Sequence, residues 1–290
     1  MGPRMKIAGI LVAVSVLLLP AALSAQPRPQ PDLKFPGEVR ELPSVVPIEM
    51  AIYKPAGPGP FPALIVYPSA NGLDGDTISW AIAAVQKGYV TLVVDYLRPR
   101  NLSPKDVGAG LVQYTQGAKD ALQALAHLRA FSIVDRQRIG IMGFSWGGMA
   151  ALLAGSAGYR GSIFPGASGF AAAVSFYPGC YYPPSKSGGE RNLLRPDHDT
   201  RTLILMGAKD NEATPLECDT RVAALKAKGR AVDMHMYADA GHAWDAKSRD
   251  GFRKTDSYGN QIVYRYSRET HEDSSRRAFD FLNARLRPGL

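Results

Sequence analysis

Residues 138–155 read RIGIMGFSWGGMAALLAG and hold one serine, Ser145, with Gly143 and Gly147 two positions away on either side. The apolar run RIGIM is typical of a buried strand, and WGGMAALLA has the composition of a helix. A strand that turns sharply into a helix at G-x-S-x-G is the setting of a nucleophile elbow, which lifts the serine above the sheet edge. Glycine is needed at both flanking positions because a side chain there would collide across the turn. The stretch therefore predicts that Ser145 is a nucleophile.

The rest of the chain supplies strands and helices in alternation. Short apolar or alternating runs predict strands, and amphipathic runs with capping residues predict helices. The strands are expected at 38–42, 49–53, 63–67, 90–94, 138–142, 171–176, 202–206 and 232–237, and the helices at 76–87, 113–131, 146–154, 215–228 and 272–286. This alternation predicts an α/β fold with a mostly parallel sheet and helices on both faces, and the first two strands predict an antiparallel edge. Residues 38–290 are expected to form one domain. The polar stretch 245–268 is expected to be a surface insertion flanking a binding site.

A serine nucleophile needs a base and an acid that orients the base, and in this fold they follow in the order serine, acid, histidine. Asp210 comes directly after the predicted strand 202–206, and His242 directly after the strand 232–237. Asp239 is a rival acid, but it precedes His242 in the same loop. The other four histidines lie within a helix, within a strand, in a loop before a strand or at the start of the last helix, namely His127, His235, His198 and His271. Ser145, Asp210 and His242 are therefore the predicted catalytic triad.

An oxyanion hole is expected beside the nucleophile. In such sites one backbone N–H follows the nucleophile and another comes from the loop after an early strand. Trp146 is the first candidate donor, and Ala70, in the turn PSANGLDGD after the strand 63–67, is the second. Ser69, beside Ala70, is a candidate contact for the substrate.

The N-terminus has the parts of a secretory signal peptide. Arg4 and Lys6 precede an apolar run that is too short to span a bilayer comfortably, and small residues follow it. Residues 1–25 are the predicted signal peptide, with cleavage after Ser24 or Ala25, and an uncleaved anchor is the alternative. Residues 26–37 are an expected proline-rich, disordered lead-in. The signal peptide predicts a periplasmic or secreted protein without stable membrane association. In such a compartment Cys180 and Cys218 are a candidate disulfide.

The charge and composition limit the classes of partner that the protein can have. The net charge is +8, or about +6 without Arg4 and Lys6, and no basic run reaches five residues. The excess positive charge is too dispersed along the sequence to indicate a nucleic-acid-binding surface. The sequence contains no metal-ligand constellation, and no cofactor or metal is expected. The expected partner is a small-molecule ester or lactone, and the expected assembly is a monomer or a weak dimer.

These residues together resemble the dienelactone hydrolase family of α/β-hydrolases, over residues 38–286. The matching stretches are VYPSANGL, VVDYLRPRN, RIGIMGFSWGG, SFYPGC, LILMGAKDNEATPLEC and YADAGHAWD. The resemblance implies an eight-stranded, mostly parallel sheet and hydrolysis of an ester or lactone through an acyl-enzyme. The SFYPGC stretch and the cysteine after the acid loop look like a pattern of exported members, which favours a bridge between Cys180 and Cys218.

The chain departs from the founding enzymes of that family at two places. Those enzymes use a cysteine nucleophile controlled by a glutamate, and the matching positions here hold Ser145 and Ser69. Both changes agree, since a hydroxyl activated by histidine needs no thiolate control. Those enzymes also hold a substrate carboxylate with two arginines. Arg98 or Arg100 could serve as one, whereas Ala246 and then Lys247 follow where the other is expected, so dienelactone itself is a doubtful substrate.

Two other functions compete with a serine esterase. A peptidase or amidase of the prolyl-oligopeptidase type shares the elbow and the order of the triad, but such enzymes usually carry an appended domain. A non-catalytic binding protein that kept the fold is the other alternative. The presence of all three triad residues argues against it.

Overall fold

The fold is built around a central β-sheet, and the predicted site residues follow its strands. The computed structural model describes Gly2 and residues 33–34, 49–182, 191–255 and 259–287. Within these residues the sheet has eight strands in the order β1-β2-β4-β3-β5-β6-β7-β8. Their bounds are β1 Leu33–Lys34, β2 Glu49–Tyr53, β3 Phe61–Tyr67, β4 Val90–Asp95, β5 Val134–Phe144, β6 Ala172–Phe176, β7 Thr202–Gly207 and β8 Val232–Tyr237.

The strand directions match the predicted mixture. β2 runs antiparallel to both β1 and β4. The other neighbouring pairs, β4–β3, β3–β5, β5–β6, β6–β7 and β7–β8, are parallel. The carboxyl ends of the parallel strands therefore meet at one edge, where ligands of open α/β sheets bind. The predicted mostly parallel sheet flanked by helices is confirmed.

Helices cover both faces of the sheet. Their bounds are α1 Gly75–Gln86, α2 Pro104–Gly108, α3 Tyr114–Ala130, α4 Trp146–Ala154, α5 Ala157–Ile163, α6 Pro215–Ala227 and α7 Arg268–Leu286. Side chains alternate along the strands, so that Leu64 and Val66 of β3 belong to one core and Ala63 and Ile65 to the other. The first core is completed by α1, α6 and α7, and the second by α3 and most of α4.

Most predicted elements are present with small shifts at their ends. The helix 146–154 and the strand 232–237 have the predicted bounds. The last helix begins at Arg268 rather than at residue 272, because the Ser267 side chain accepts a hydrogen bond from Thr270 N and caps an additional turn. β5 begins at Val134, which pairs with Phe61 of β3. The predicted strand at 38–42 and the signal peptide apart from Gly2 lie outside the described residues. In the predicted disordered lead-in, only residues 33–34 are described, and they form β1, which pairs with β2.

The polar stretch at 245–268 contains structure that its composition did not predict. A 3₁₀ turn at Lys247–Arg249 is followed by a hairpin of β9 Arg253–Thr255 and β10 Gln261–Val263. The elements α2 and α5 were also missed. None of the helices in the described part of the chain is long and apolar enough to cross a bilayer.

Candidate active site

Ser145 stands on a strained turn between β5 and α4. Its backbone has φ +49° and ψ −114°, a conformation that few residues other than glycine adopt. The turn is tight: a Cβ on Gly143 would lie 2.3 Å from the carbonyl oxygen of Gly147, and a Cβ on Gly147 would lie 2.4 Å from that of Pro68. The amide of Ser145 donates to the Phe176 carbonyl at 2.9 Å, which ties the turn to the end of β6. This geometry is that of a nucleophile elbow.

A chain of hydrogen bonds runs from Ser145 to Asp210. The His242 ring lies 2.9 Å from Ser145 Oγ through Nε2 and 2.7 Å from Asp210 Oδ2 through Nδ1, and all three residues are buried. The other carboxylate oxygen of Asp210 accepts from the amides of Glu212 and Ala213, at 2.9 and 2.8 Å. Asp210 is thereby fixed in orientation. The structure thus brings together the three residues predicted as a triad, from the ends of β5, β7 and β8.

The rival acid lies elsewhere. The Asp239 side chain is 91% exposed and forms an ion pair with Lys209 at 2.6 Å. It therefore faces solvent, whereas Asp210 faces the histidine.

Two carboxylates determine the protonation of His242. Burial lowers the pKa of His242, but the negative charges of Asp210 and Glu212 outweigh burial and raise the pKa above its ordinary value. Glu212 Oε2 lies 3.8 Å from His242 Nε2. The sequence analysis missed Glu212, although its position two residues after Asp210 was a signal that could have found it.

A buried aspartate, Asp245, holds Tyr177, which packs on the His242 ring. Asp245 accepts hydrogen bonds from Trp80 Nε1 at 2.8 Å and from the Tyr177 hydroxyl at 2.6 Å. The Tyr177 ring in turn packs on His242 with 4.7 Å between ring centroids. Burial raises the pKa of the Asp245 carboxyl, and the two donors partly offset that effect. His242, which was predicted to lie in a loop, is therefore packed against a buried tyrosine that is itself held in place.

The two candidate oxyanion donors are linked by Tyr96. Its hydroxyl donates to the Ser69 carbonyl at 2.9 Å, and its ring stacks on Trp146 with centroids 4.5 Å apart. The Ser69 carbonyl also accepts from Gly72 N at 2.9 Å. In a trans peptide the C=O and the following N–H point in opposite directions, so holding the Ser69 carbonyl also orients the Ala70 N–H. Trp146 is the first residue of α4, whose first amides have no acceptor within the helix.

Two cavities meet at Ser145. One is a small chamber of about 60 Å³, and the other is an open cleft of about 700 Å³. Ser145, Ala70, Asn71, Glu212, Lys254 and Tyr264 line both. The cleft alone is bordered by Trp146, by α2 and by two tyrosines, Tyr114 and Tyr182, whose rings stack 6.0 Å apart. The predicted role of the 245–268 stretch at the border of a site agrees with the positions of Lys254 and Tyr264.

The arginines expected to hold a substrate anion lie elsewhere. Arg98 is 58% exposed and forms an ion pair with Asp95. Arg100 is 6% exposed, and it pairs with the buried Asp120 at 2.7 Å and donates to the Tyr96 carbonyl. Neither is among the described residues that line the two cavities. Neither arginine therefore borders these two cavities, and Asp120 on α3 pairs with Arg100 in the core, where Arg100 supports Tyr96.

The expected disulfide is present. Cys180 follows β6, Cys218 lies on α6, and their sulfurs are bonded across a separation of 38 residues. The bridge joins the loop that contains Tyr177 to a helix. Among the residues that the structure describes, no group of three or more histidine, cysteine, aspartate or glutamate side chains could hold a metal ion.

The chain matches the model of the dienelactone hydrolase family over residues 48–286. It belongs to the dienelactone hydrolase family. A Bradyrhizobium sp. protein described as "Probable 2-oxo-3-(5-oxofuran-2-ylidene)propanoate lactonase" is 23% identical over 225 residues, 73% of this chain and 86% of that protein.

Solved structures show the same fold. A "Putative Dienelactone Hydrolase" from Klebsiella pneumoniae aligns with a TM-score of 0.68 and 20% identity, over 86% of this chain and 98% of that one. Thermogutta terrifontis esterase 2, phosphonylated by cyclosarin, aligns with a TM-score of 0.64 and 16% identity, over 90% and 96%. The family places the chain among carboxylic ester hydrolases, a class that includes lactonases because lactones are cyclic esters.

Proposed function

We propose that this family member is a serine hydrolase that cleaves esters or lactones of small substrates through an acyl-enzyme. Ser145 is the nucleophile, His242 the general base and acid, and Asp210 the residue that orients His242. The observation that carries the proposal is the hydrogen-bond chain from Ser145 Oγ through both nitrogens of His242 to Asp210 Oδ2.

The reaction runs in two halves. Ser145 Oγ attacks the carbonyl carbon while its proton moves to His242 Nε2. The bond from that carbon to the alcohol oxygen then breaks, and the leaving alcohol takes the proton from His242. A water molecule next gives a proton to His242 and attacks the carbonyl carbon of the acyl-enzyme. The bond from that carbon to Ser145 Oγ then breaks, Ser145 Oγ takes the proton from His242, and the carboxylic acid leaves.

The negative charge of each tetrahedral intermediate is proposed to rest between the Trp146 and Ala70 amides. Support comes from the position of Trp146 at the start of α4 and from the two hydrogen bonds that hold the Ser69 carbonyl. The positive end of the helix dipole also favours an oxyanion there. Ser69 is proposed to border the bound substrate, because it lines the small chamber next to Ser145.

The cavities support small substrates. A cleft of about 700 Å³ lies within the range of ligand pockets for small molecules. The printed name of the Bradyrhizobium relative favours a lactone among the candidate substrates. Dienelactone itself is not proposed, because Arg98 and Arg100 do not line the cleft.

The compartment is proposed to be the periplasm or the exterior of the cell. The disulfide supports it, because such bridges persist mainly in oxidising compartments. The signal peptide at 1–25 and the monomeric or weakly dimeric assembly stay predictions. A cleaved signal would appear as a mature N-terminus at residue 25 or 26, measured by intact mass of the exported protein.

A fluorophosphonate probe and chromogenic esters test the proposed function. The wild-type chain should be labelled on Ser145 and should hydrolyse p-nitrophenyl acetate and butyrate. Ser145→Ala should lose labelling and about 10⁶-fold in kcat. Near-normal turnover by that variant would refute the nucleophile. Absence of labelling in the wild type would favour a binding protein, and turnover of aminoacyl-p-nitroanilides with little on esters would favour a peptidase.

A further inference from the structure

Glu212 lies against the same imidazole as Asp210 but at the other nitrogen. Asp210 bonds Nδ1 of His242, and Glu212 Oε2 lies 3.8 Å from Nε2. Both carboxylates come from the loop between β7 and α6. The Glu212 side chain is 24% exposed and lines both cavities beside Ser145. It therefore stands where a proton is exchanged during hydrolysis.

Two residues of the 245–268 stretch hold Glu212 in this position. The Tyr264 hydroxyl donates to Oε2 at 2.8 Å, and Lys254 forms an ion pair with Oε1. Tyr264 is buried, and its ring lies 5.6 Å from the His242 ring between centroids. Lys254 Nζ lies over the Tyr264 ring at 5.4 Å. Each oxygen of the Glu212 carboxylate is thus held by one of these two residues.

We propose that Glu212 is a positioning residue of the hydrolase: a second carboxylate that stabilises the His242 imidazolium and is held in place by Tyr264 and Lys254. The proposal rests on the proposed function of Ser145 and His242. It also gives the 245–268 stretch a role in catalysis, because that stretch supplies both residues that orient Glu212.

The charge balance around the ring supports this role. When Ser145 gives its proton to Nε2, the imidazole becomes positive, and a carboxylate within 4 Å favours that form. The charged groups facing His242 are Asp210 and Glu212, which favour the imidazolium, and Lys254, which opposes it. The rings of Tyr177 and Tyr264 complete the surroundings, and burial raises the pKa of both hydroxyls, so they remain neutral.

Glu212 is itself charged at neutral pH. Burial raises the pKa of its carboxyl, but the positive charges of His242 and Lys254 and the hydrogen bonds from Lys254 and Tyr264 lower it further, to below the ordinary value. A negative charge is therefore present at Nε2 throughout the pH range in which His242 titrates.

The pH profile of kcat/KM separates this role from a structural one. Activity falls at low pH as His242 becomes protonated, so the midpoint of the acidic limb reports its pKa in the free enzyme. Glu212→Gln keeps the shape of the side chain and removes its charge. It should lower the midpoint by roughly 0.5 to 2 pH units and reduce kcat at the plateau. The matched control Glu217→Gln, on α6 and paired with Arg221, should leave the midpoint unchanged.

A second variant guards against a folding defect. Tyr264→Phe keeps the ring beside His242 and removes the hydrogen bond that holds Glu212, so it should lower the midpoint by less than Glu212→Gln does. An unchanged midpoint in folded Glu212→Gln, or a midpoint in Tyr264→Phe at or above that of the wild type, would overturn the proposal. NMR titration of the His242 ring measures the same shift without turnover. An inactive wild type would therefore contradict the proposed function, and an unshifted ring would contradict only the role of Glu212.

Discussion

The triad and the wall of the cleft are built in different ways. Ser145, Asp210 and His242 each stand just past a strand of one sheet and are joined by hydrogen bonds of 2.7 and 2.9 Å. The wall consists of residues from α2, from Tyr114 and Tyr182, and from the β9–β10 region, none of which belongs to the central sheet. The sheet therefore fixes the three residues of the proposed triad, and the segments around it form the wall of the cleft beside them.

The contrast has a physical basis. Parallel strands place their carboxyl ends side by side whatever the intervening chain does, so a short loop after each strand suffices to bring side chains together. A cleft wall depends on long-range contacts between segments without such a frame. The pair of Lys254 and Glu212, separated by 42 residues, is an example. Substitutions should therefore affect the chemical step when they touch the first region and mainly the substrate range when they touch the second. Lys254 and Tyr264 are the expected exceptions, because they hold Glu212 against His242.

After the loss expected at Ser145 itself, the largest effect is expected at Asp210. Asp210→Asn should lower kcat by about 10⁴-fold, because the amide no longer holds the required tautomer of His242 or stabilises its positive form. Asp239→Asn, in the same loop as His242, should leave kcat unchanged because that carboxylate faces solvent. Steady-state hydrolysis of p-nitrophenyl butyrate by both variants checks this. Equal losses in the two would mean that the loops, and not the strand ends, organise the triad.

A second effect concerns stability of the frame rather than chemistry. Replacing Cys180 and Cys218 together by alanine should lower the free energy of unfolding by about 4 kcal/mol, because the bridge closes a loop of 38 residues in the unfolded chain. Guanidinium unfolding measures the loss, and wild-type protein reduced with dithiothreitol is the control. At temperatures where the variant is folded, kcat should stay near that of the wild type. A loss under 1 kcal/mol would contradict the expected role of the bridge.

The same contrast decides what the sequence could predict. The strands, most helices and the meeting of Ser145, Asp210 and His242 were predictable because the local pattern and the order along the chain determine them. Trp146 and Ala70 followed from the same template, and the structure places both beside Ser145, with Ala70 lining both cavities. Their catalytic roles stay proposals.

The failures lie where distant segments meet. Arg100 was expected in the substrate site because it lies in a loop after β4, but Asp120, twenty residues later on α3, pairs with it in the core. No hydrophobic periodicity in the sequence predicts such a long-range ion pair. Glu212 could have been found from its spacing to Asp210, whereas its partners Lys254 and Tyr264 depend on how the β9–β10 region folds back.

Tyr96 sharpens the comparison because it follows strand β4 and also contacts both segments that carry the proposed oxyanion donors. Tyr96→Phe keeps the ring that stacks on Trp146 and removes the hydrogen bond to the Ser69 carbonyl. One such bond contributes about 1 kcal/mol, so kcat should fall roughly fivefold to tenfold with KM little changed. Tyr89→Phe is the matched control, since it removes the 2.7 Å bond to Asn283 away from the cavities and should leave kcat unchanged. Unaltered kcat in Tyr96→Phe, or an equal loss in both variants, would show that the orientation of the Ala70 amide does not depend on Tyr96.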